Sequence, residues 1–191
     1  MRVITGTARG RRLKELAGME TRPTTDRVKE GLFSALQFDI EGRRVLDLFA
    51  GTGQLGIEAL SRGAQSAVFV DRRADAVKLI RENLELTELS ERARVIAGDS
   101  MAYLASLRER FDLIFLDPPY QAGLLEPALA HIAAFDILSP HGIIAAEAPA
   151  DRCLPDLPSP YALYRTYRYG KIGLTIYRRA GDPAEKEESP V

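Results

Sequence analysis

Two short stretches of this 191-residue chain carry residue types whose spacing suits chemistry. The first is Asp117-Pro118-Pro119-Tyr120, directly after the apolar run Phe111 to Leu116. Two consecutive prolines cannot extend that run as a paired interior strand. Such a corner is either ordinary turn chemistry or a rigid frame that holds carbonyl oxygens and an aromatic ring against a planar substrate. An exocyclic amine on a nucleobase would suit the frame. Its nitrogen lone pair is delocalised into the ring, and acceptors aimed at its two N–H groups draw the nitrogen toward a nucleophilic, tetrahedral geometry. The Asp117 carboxylate and the Pro118 carbonyl are such acceptors, the prolines fix the backbone that aims them, and Tyr120 can stack on the base.

The second stretch runs from Val45 to Gly56 and places the pattern G-x-G-x-x-G, at Gly51, Gly53 and Gly56, between a predicted strand and a predicted helix. Glycine there lets the backbone turn tightly and a ligand approach closely. The pattern alone leaves a nicotinamide cofactor open. Asp47, four residues before Gly51, shifts the balance, because a carboxylate at that point repels a pyrophosphate and attracts a cationic amino-acid head such as that of S-adenosylmethionine. Asp71, twenty residues after Gly51, closes the next predicted strand, where an acid can accept from a ribose diol in either cofactor class. Asp99 closes the third, where it and the next backbone amide, that of Ser100, would meet an adenine ring. The competing reading of each acid is a helix cap, above all for Asp99.

The elements that must position these groups follow from hydrophobic periodicity. From residue 44 short apolar runs alternate with amphipathic stretches, the pattern of a parallel sheet covered by helices on both faces. Strands are predicted at 44–48, 66–70, 94–97, 112–116 and 142–148, and helices at 55–62, 75–86, 100–108 and 124–135. Asp75 is placed to cap the second of these helices. Tyr161 to Tyr169 and Lys171 to Arg178, joined at Gly170, read as an antiparallel hairpin on the sheet edge. At the other end, Val3-Ile4 and Arg12 to Lys14 flank Gly6 to Gly10 as a small hairpin, and Asp26 is expected to cap a helix running to about Gln37. The expected organisation is an N-terminal extension over residues 1–40, a main domain over 41–180 and a disordered tail over 181–191.

Composition bounds the rest. With 46% hydrophobic and 28% charged residues the chain reads as one soluble domain. It has no apolar run of membrane-spanning length and no signal-like start, so cytoplasm is the expected location. The single cysteine, Cys153, excludes an intramolecular disulfide, and with only two histidines beside it no metal site is expected. Net charge is −1, yet residues 1–29 hold eight Lys/Arg against three acids. The acid-free stretch from Tyr161 to Arg179 carries Arg165, Arg168, Lys171, Arg178 and Arg179 among five tyrosines. Such segments suit phosphate contacts, or they are solvated strand faces.

Asp47-Leu-Phe-Ala-Gly-Thr-Gly53 together with Asp117 to Tyr120 resembles the class I S-adenosylmethionine-dependent amino-methyltransferases. More closely, Met1-Arg-Val-Ile-Thr-Gly6, Arg22 to Glu30, Gly56 to Ala64 and Tyr169-Gly-Lys171 look like the bacterial 16S ribosomal RNA guanine-N2 methyltransferases, over nearly the whole chain. The resemblance implies a Rossmann-like α/β fold, with a seven-stranded, mostly parallel sheet, helices on both faces and an N-terminal hairpin and helix facing RNA. It implies S-adenosylmethionine as cofactor and 16S RNA in the small ribosomal subunit as partner, with a monomer as the default state. Asp47, Phe49, Ala50, Gly51, Thr52 and Gly53 would line the methionine end, Asp71 the ribose, and Asp99 with Ser100 the adenine. Asp117, Pro118, Pro119 and Tyr120 would hold the guanine amine. Arg2, Arg9, Arg11 and Arg12 would face RNA, and Arg22, Thr24 and Arg27 would lie near the site mouth, toward RNA phosphate or the cofactor carboxylate. Asp71 departs from the longer glutamate expected in many members.

Other readings are weaker. A DNA adenine-N6 or cytosine-N4 methyltransferase would share the corner but would want a separate base-reading domain. A protein glutamine methyltransferase would carry asparagine in place of Asp117. A noncatalytic RNA-binding module on the same fold has no reason to keep both motifs, and a nicotinamide oxidoreductase leaves Asp117 to Tyr120 without a role.

Overall fold

The computed structural model describes residues 1–16 and 23–180, with the side chains of residues 23–25 and 121 left aside. Helix α1 (Pro23–Ala35) precedes β1 (Arg44–Asp47), α2 (Gln54–Ser61), β2 (Ser66–Asp71), α3 (Ala74–Thr87), β3 (Ala93–Ala97), α4 (Ser100–Ser106), β4 (Phe111–Leu116), α5 (Leu125–Ala134), β5 (Leu138–Pro149), β6 (Tyr161–Tyr169) and β7 (Ile172–Arg179). The strands form one sheet in the order β3-β2-β1-β4-β5-β7-β6. β1 to β5 are parallel; β7 pairs antiparallel with both β5 and β6, so it alone runs against the rest.

Alternation along each strand explains why one sheet carries two helical layers. Val45, Phe69, Leu113 and Phe115 face one way and pack with Phe33 of α1, Ile57 of α2 and Ile80 of α3. Leu46, Val68, Ile114 and Leu116 face the other way and pack with Leu104 of α4 and Leu129 of α5. The chain crosses to opposite sides of the sheet on leaving β1 and β4, which makes the gap between their carboxyl ends the topological switch point where an open α/β sheet binds ligands. Asp47 ends β1 and Asp117 follows β4 directly.

Four expected elements differ. The N-terminal hairpin reduces to a single antiparallel bridge, Arg2 to Arg12, around a tight turn of residues 6–11. α1 begins at Pro23 rather than at Asp26, which lies within its first turn; proline is favoured there because the missing N–H has no helical partner anyway. Asp75 likewise lies inside α3, which starts at Ala74, and its Oδ1 accepts from the N–H of Ala76. β5 starts at Leu138, ahead of the predicted strand, because the chain pairs with Phe111 before its irregularity near His141 (φ +57°). The edge hairpin turns at Gly170, whose φ of +62° only glycine adopts readily. The expected tail, 181–191, lies outside the described residues.

The N-terminal segment is not separate from the sheet domain. Glu58, fully buried on α2, accepts from the N–H groups of Ile4 (2.8 Å) and Thr5 (3.0 Å). Buried Lys29 sits 3.7 Å from the same carboxylate and donates to the carbonyl of Arg2 at 2.6 Å. Burial pulls the Lys29 ammonium below its ordinary range, against the raising effect of Glu58 and Asp26. Asn83 of α3 accepts from the N–H of Lys14 and donates to the carbonyls of Lys14 and Thr52. These bonds seat the N-terminal residues on the glycine loop.

Candidate active site

Asp47 is 2% exposed, and its Oδ2 accepts from the N–H of Gly56 in the first turn of α2 at 3.0 Å. The loop between them is held at several points. Gly51 donates its N–H to Asp71 Oδ2 at 2.9 Å, and Ala50 donates to the carbonyl of Val70 at 3.0 Å. Ser100 Oγ donates to the carbonyl of Leu48 at 2.6 Å. Gly53 has a φ of +79°, and Gly56 packs so closely on β2 that a Cβ would stand 2.3 Å from the Phe69 ring. Burial raises the pKa of Asp47 from its ordinary 3.8 to about 7; the Gly56 N–H opposes this and the charge of Asp71 adds to it. A cation brought against Asp47 would restore its charge. That demand fits the sulfonium amino acid of S-adenosylmethionine and not a pyrophosphate.

On the other side of the switch point, β4 stops at Leu116 and the two prolines turn the chain into a short 3₁₀ turn at Tyr120–Ala122. Leu116 pairs with Ala146 of β5, so Asp117, just past the end of β4, comes beside Glu147, which is still within β5 and pairs with Leu174 of β7. Tyr120 Oη donates to Glu147 Oε1 at 2.7 Å. Burial first, then Glu147, then Asp47 hold the Asp117 carboxyl well above the usual carboxylate range. Hydrogen-bond donors brought to these acids would favour their charged forms.

The two halves open into one cavity of about 960 Å³. Asp47, Phe49, Ala50, Gly51 and Thr52 line it at the loop, and Asp71, Asp99 and Ser100 at the ends of β2 and β3. The whole corner from Asp117 to Tyr120 lines it as well. Gly53 does not; it is buried behind the loop against Ile57 and Ile80, and its place in the site is to turn the chain. Asp99 is both wall and cap, its Oδ1 accepting from the N–H groups of Met101 (3.0 Å) and Ala102 (2.9 Å). Among the described residues no group of His, Cys, Asp and Glu is arranged to hold a metal ion, and no helix is long and apolar enough to cross a membrane.

The family described as "Conserved hypothetical protein 95" matches residues 1–178. The chain belongs to this family. Among its relatives is YlbH of Bacillus subtilis, 42% identical over 184 residues that cover 95% of this chain and all of that one. Ribosomal RNA small subunit methyltransferase D of Escherichia coli strain K12 is 36% identical over 180 residues, which cover 94% of this chain and 90% of the relative. The solved structure of Escherichia coli yhhF superposes with a TM-score of 0.86 at 32% identity, over 95% of this chain and 99% of that one. The Rossmann-like fold of the class I methyltransferases is thereby shown for this family member.

Sequence reasoning missed ten residues of the cavity lining, Glu147, Met1, Glu15 and Leu16 among them. Glu147 is a lone acid in an apolar run, and only the β4–β5 register gives it meaning. Met1, Glu15 and Leu16 form a wall of the cavity, with Thr52 Oγ1 3.6 Å from Met1 Sδ. The N-terminal extension, expected to face RNA, thus also helps enclose the site. Its arginines divide. Arg2, Arg9 and Arg12 are exposed, as is Arg27 on α1. Arg11 is spoken for, donating to the carbonyl of Leu86 and pairing with Glu88 at 2.7 Å. Arg22 and the side chain of Thr24 lie outside the described residues. The acid-free stretch near the C-terminus is less basic in space than in sequence, because Arg178 pairs with Asp39 at 2.8 Å and Arg179 with Asp136 at 2.9 Å. Cys153 is exposed in the connection from β5 to β6.

Proposed function

We propose that this protein transfers a methyl group from S-adenosylmethionine to the exocyclic N2 amine of one guanine in bacterial 16S ribosomal RNA. The observation that carries this reading is that the Asp47 glycine loop and the Asp117 to Tyr120 corner line one cavity. The relatives named as small-subunit ribosomal RNA methyltransferases supply the substrate class.

When bound, S-adenosylmethionine supplies a methyl group already activated on a sulfonium. Asp47 would hold its cationic end, Asp71 its ribose, and Asp99 with the Ser100 amide its adenine. The chain then needs no covalent nucleophile, and positioning supplies most of the catalysis. The Asp117 carboxylate and the Pro118 carbonyl accept from the guanine amine and draw its lone pair out of conjugation, while Tyr120 stacks on the ring. A carboxyl held above the usual range is also a competent acceptor for the proton the amine must lose. A paired base cannot reach this depth in its stack, so the target is flipped or already looped out. Arg2, Arg9, Arg12 and Arg27 are placed to contact phosphate, and the reaction belongs in the cytoplasm, with the protein acting as a monomer.

The test is transfer of labelled methyl to small subunits lacking the modification, with purified 16S RNA and duplex DNA alongside, followed by nucleoside analysis. N2-methylguanosine in the ribosomal RNA is expected; label in DNA adenine or cytosine instead overturns the reading. Asp117→Ala should abolish transfer while calorimetry still shows cofactor binding, and retained turnover removes the role given to Asp117.

A further inference from the structure

Asp117 has a partner at the corner that the amine chemistry does not require. Glu147 stands beside it on β5, lines the same cavity, and is held at one oxygen by Tyr120, the last residue of the corner. A carboxylate offers about four acceptor positions and can meet more than one donor at a time.

The nucleobases differ at the atom next to the reactive amine. In guanine the ring nitrogen N1 carries a hydrogen, so N1–H and N2–H₂ form a continuous row of donors. In adenine and cytosine the ring nitrogen beside the amine is bare and presents a lone pair. Two carboxylates side by side match a row of donors and repel a lone pair. We infer that Glu147 is the specificity-determining residue of the site, accepting the N1–H of guanine while Asp117 accepts from the amine. This rests on the function proposed above and adds the reason one amine is chosen over another. The Asp117 corner suits any planar amine; Glu147 restricts it to one flanked by an N–H donor. Tyr120 then has two tasks, a ring against the base and a hydroxyl that aims Glu147. Sites built around a hydrogen bond to a substrate N–H reject analogues that lack it far more strongly than apolar pockets reject a missing methylene.

The test uses small subunits reconstituted with either guanine or 2-aminopurine at the methylated position. 2-Aminopurine keeps the reactive amine and replaces N1–H by a bare nitrogen. The wild type should prefer guanine in kcat/KM by about a hundredfold or more. In Glu147→Gln the amide can donate to the bare nitrogen, and the preference should fall at least tenfold; Glu147→Asp, which keeps the carboxylate, should retain most of it. Because one preparation meets both substrates, any loss of folded protein cancels from the ratio. The same ratio is read in binding, by competition between the two kinds of subunit, which needs no turnover. A preference unchanged in Glu147→Gln overturns the inference. Absence of methyl transfer to guanine N2 by the wild type is a different result and overturns the proposed function instead.

Discussion

Replacing Asp47 by asparagine should make the empty protein more stable and the site worse. Asparagine keeps an oxygen for the Gly56 N–H and removes the buried charge. The folded chain holds the Asp47 proton until about pH 7, whereas the unfolded chain releases it near the ordinary 3.8. Between those limits the unfolded state binds fewer protons, so the folded state loses stability as pH rises through this window. Below the window Asp47 contributes nothing. Above it, at about 1.4 kcal/mol per pH unit, the interval corresponds to a cost of about 4 kcal/mol at most. The asparagine variant avoids that cost. Its unfolding free energy should therefore match the wild type near pH 4 and exceed it by up to about 4 kcal/mol at pH 8. For a chain of this size that is a rise in melting temperature of about 8 to 16 °C. Chemical and thermal denaturation without cofactor, from pH 4 to 8, measures the difference directly. S-adenosylmethionine should stabilise the wild type much more than the variant, because its cation answers the Asp47 charge. Two stability curves that run parallel across the pH range would refute the reasoning, since Asp47 would then be no buried, unbalanced acid.

Lys29→Met removes the buried cation that bridges Glu58 and the Arg2 carbonyl. It should cost about 3 kcal/mol, the low end for breaking a buried pair, because Arg62 still holds Glu58 at 2.8 Å. A denaturation midpoint equal to the wild type at pH 7 contradicts that. Replacing Arg9 and Arg12 together by alanine should weaken binding to small subunits and lower the slope of log affinity against log salt by about two. Arg11→Ala alone should change the slope little, since that side chain already answers Glu88; equal effects for all three would mean that the Glu88 pair opens on RNA.

The central parallel strands were legible because they are buried on both faces and therefore read as unbroken apolar runs, as in Leu113 to Leu116. The two motifs were legible because their chemistry is local: a glycine loop and a proline corner act through adjacent residues. What escaped depends on long-range register. Arg178 looked like free positive charge, and its partner Asp39 stands 139 residues away. The N-terminal wall of the cavity depends on Glu58 and Asn83, each more than 50 residues from the backbone groups it holds. Periodicity locates elements but is silent about which polar side chain reaches across to them.

Weighing a structural against a functional reading for each acid at the carboxyl edge assumes that one excludes the other. Asp71 spends its oxygens on the N–H groups of Gly51 and Arg73, and Asp99 spends one on the first turn of α4. Both still line the cavity. A carboxylate with several lone pairs can fix the loop and meet a ligand hydroxyl at once, and fixing it first means that little must be reorganised when the ligand arrives. Asp117 and Glu147 are built the other way. Burial and the charge of Glu147 disfavour the charged form of Asp117, and donors brought to this pair would favour it. Under the proposed function the edge would divide into acids that hold the loop's shape, at the ends of β2 and β3, and acids that meet the substrate, after β4 and on β5. Such a division would suit a cofactor bound in a preformed cradle and a base selected by its hydrogen-bonding edge.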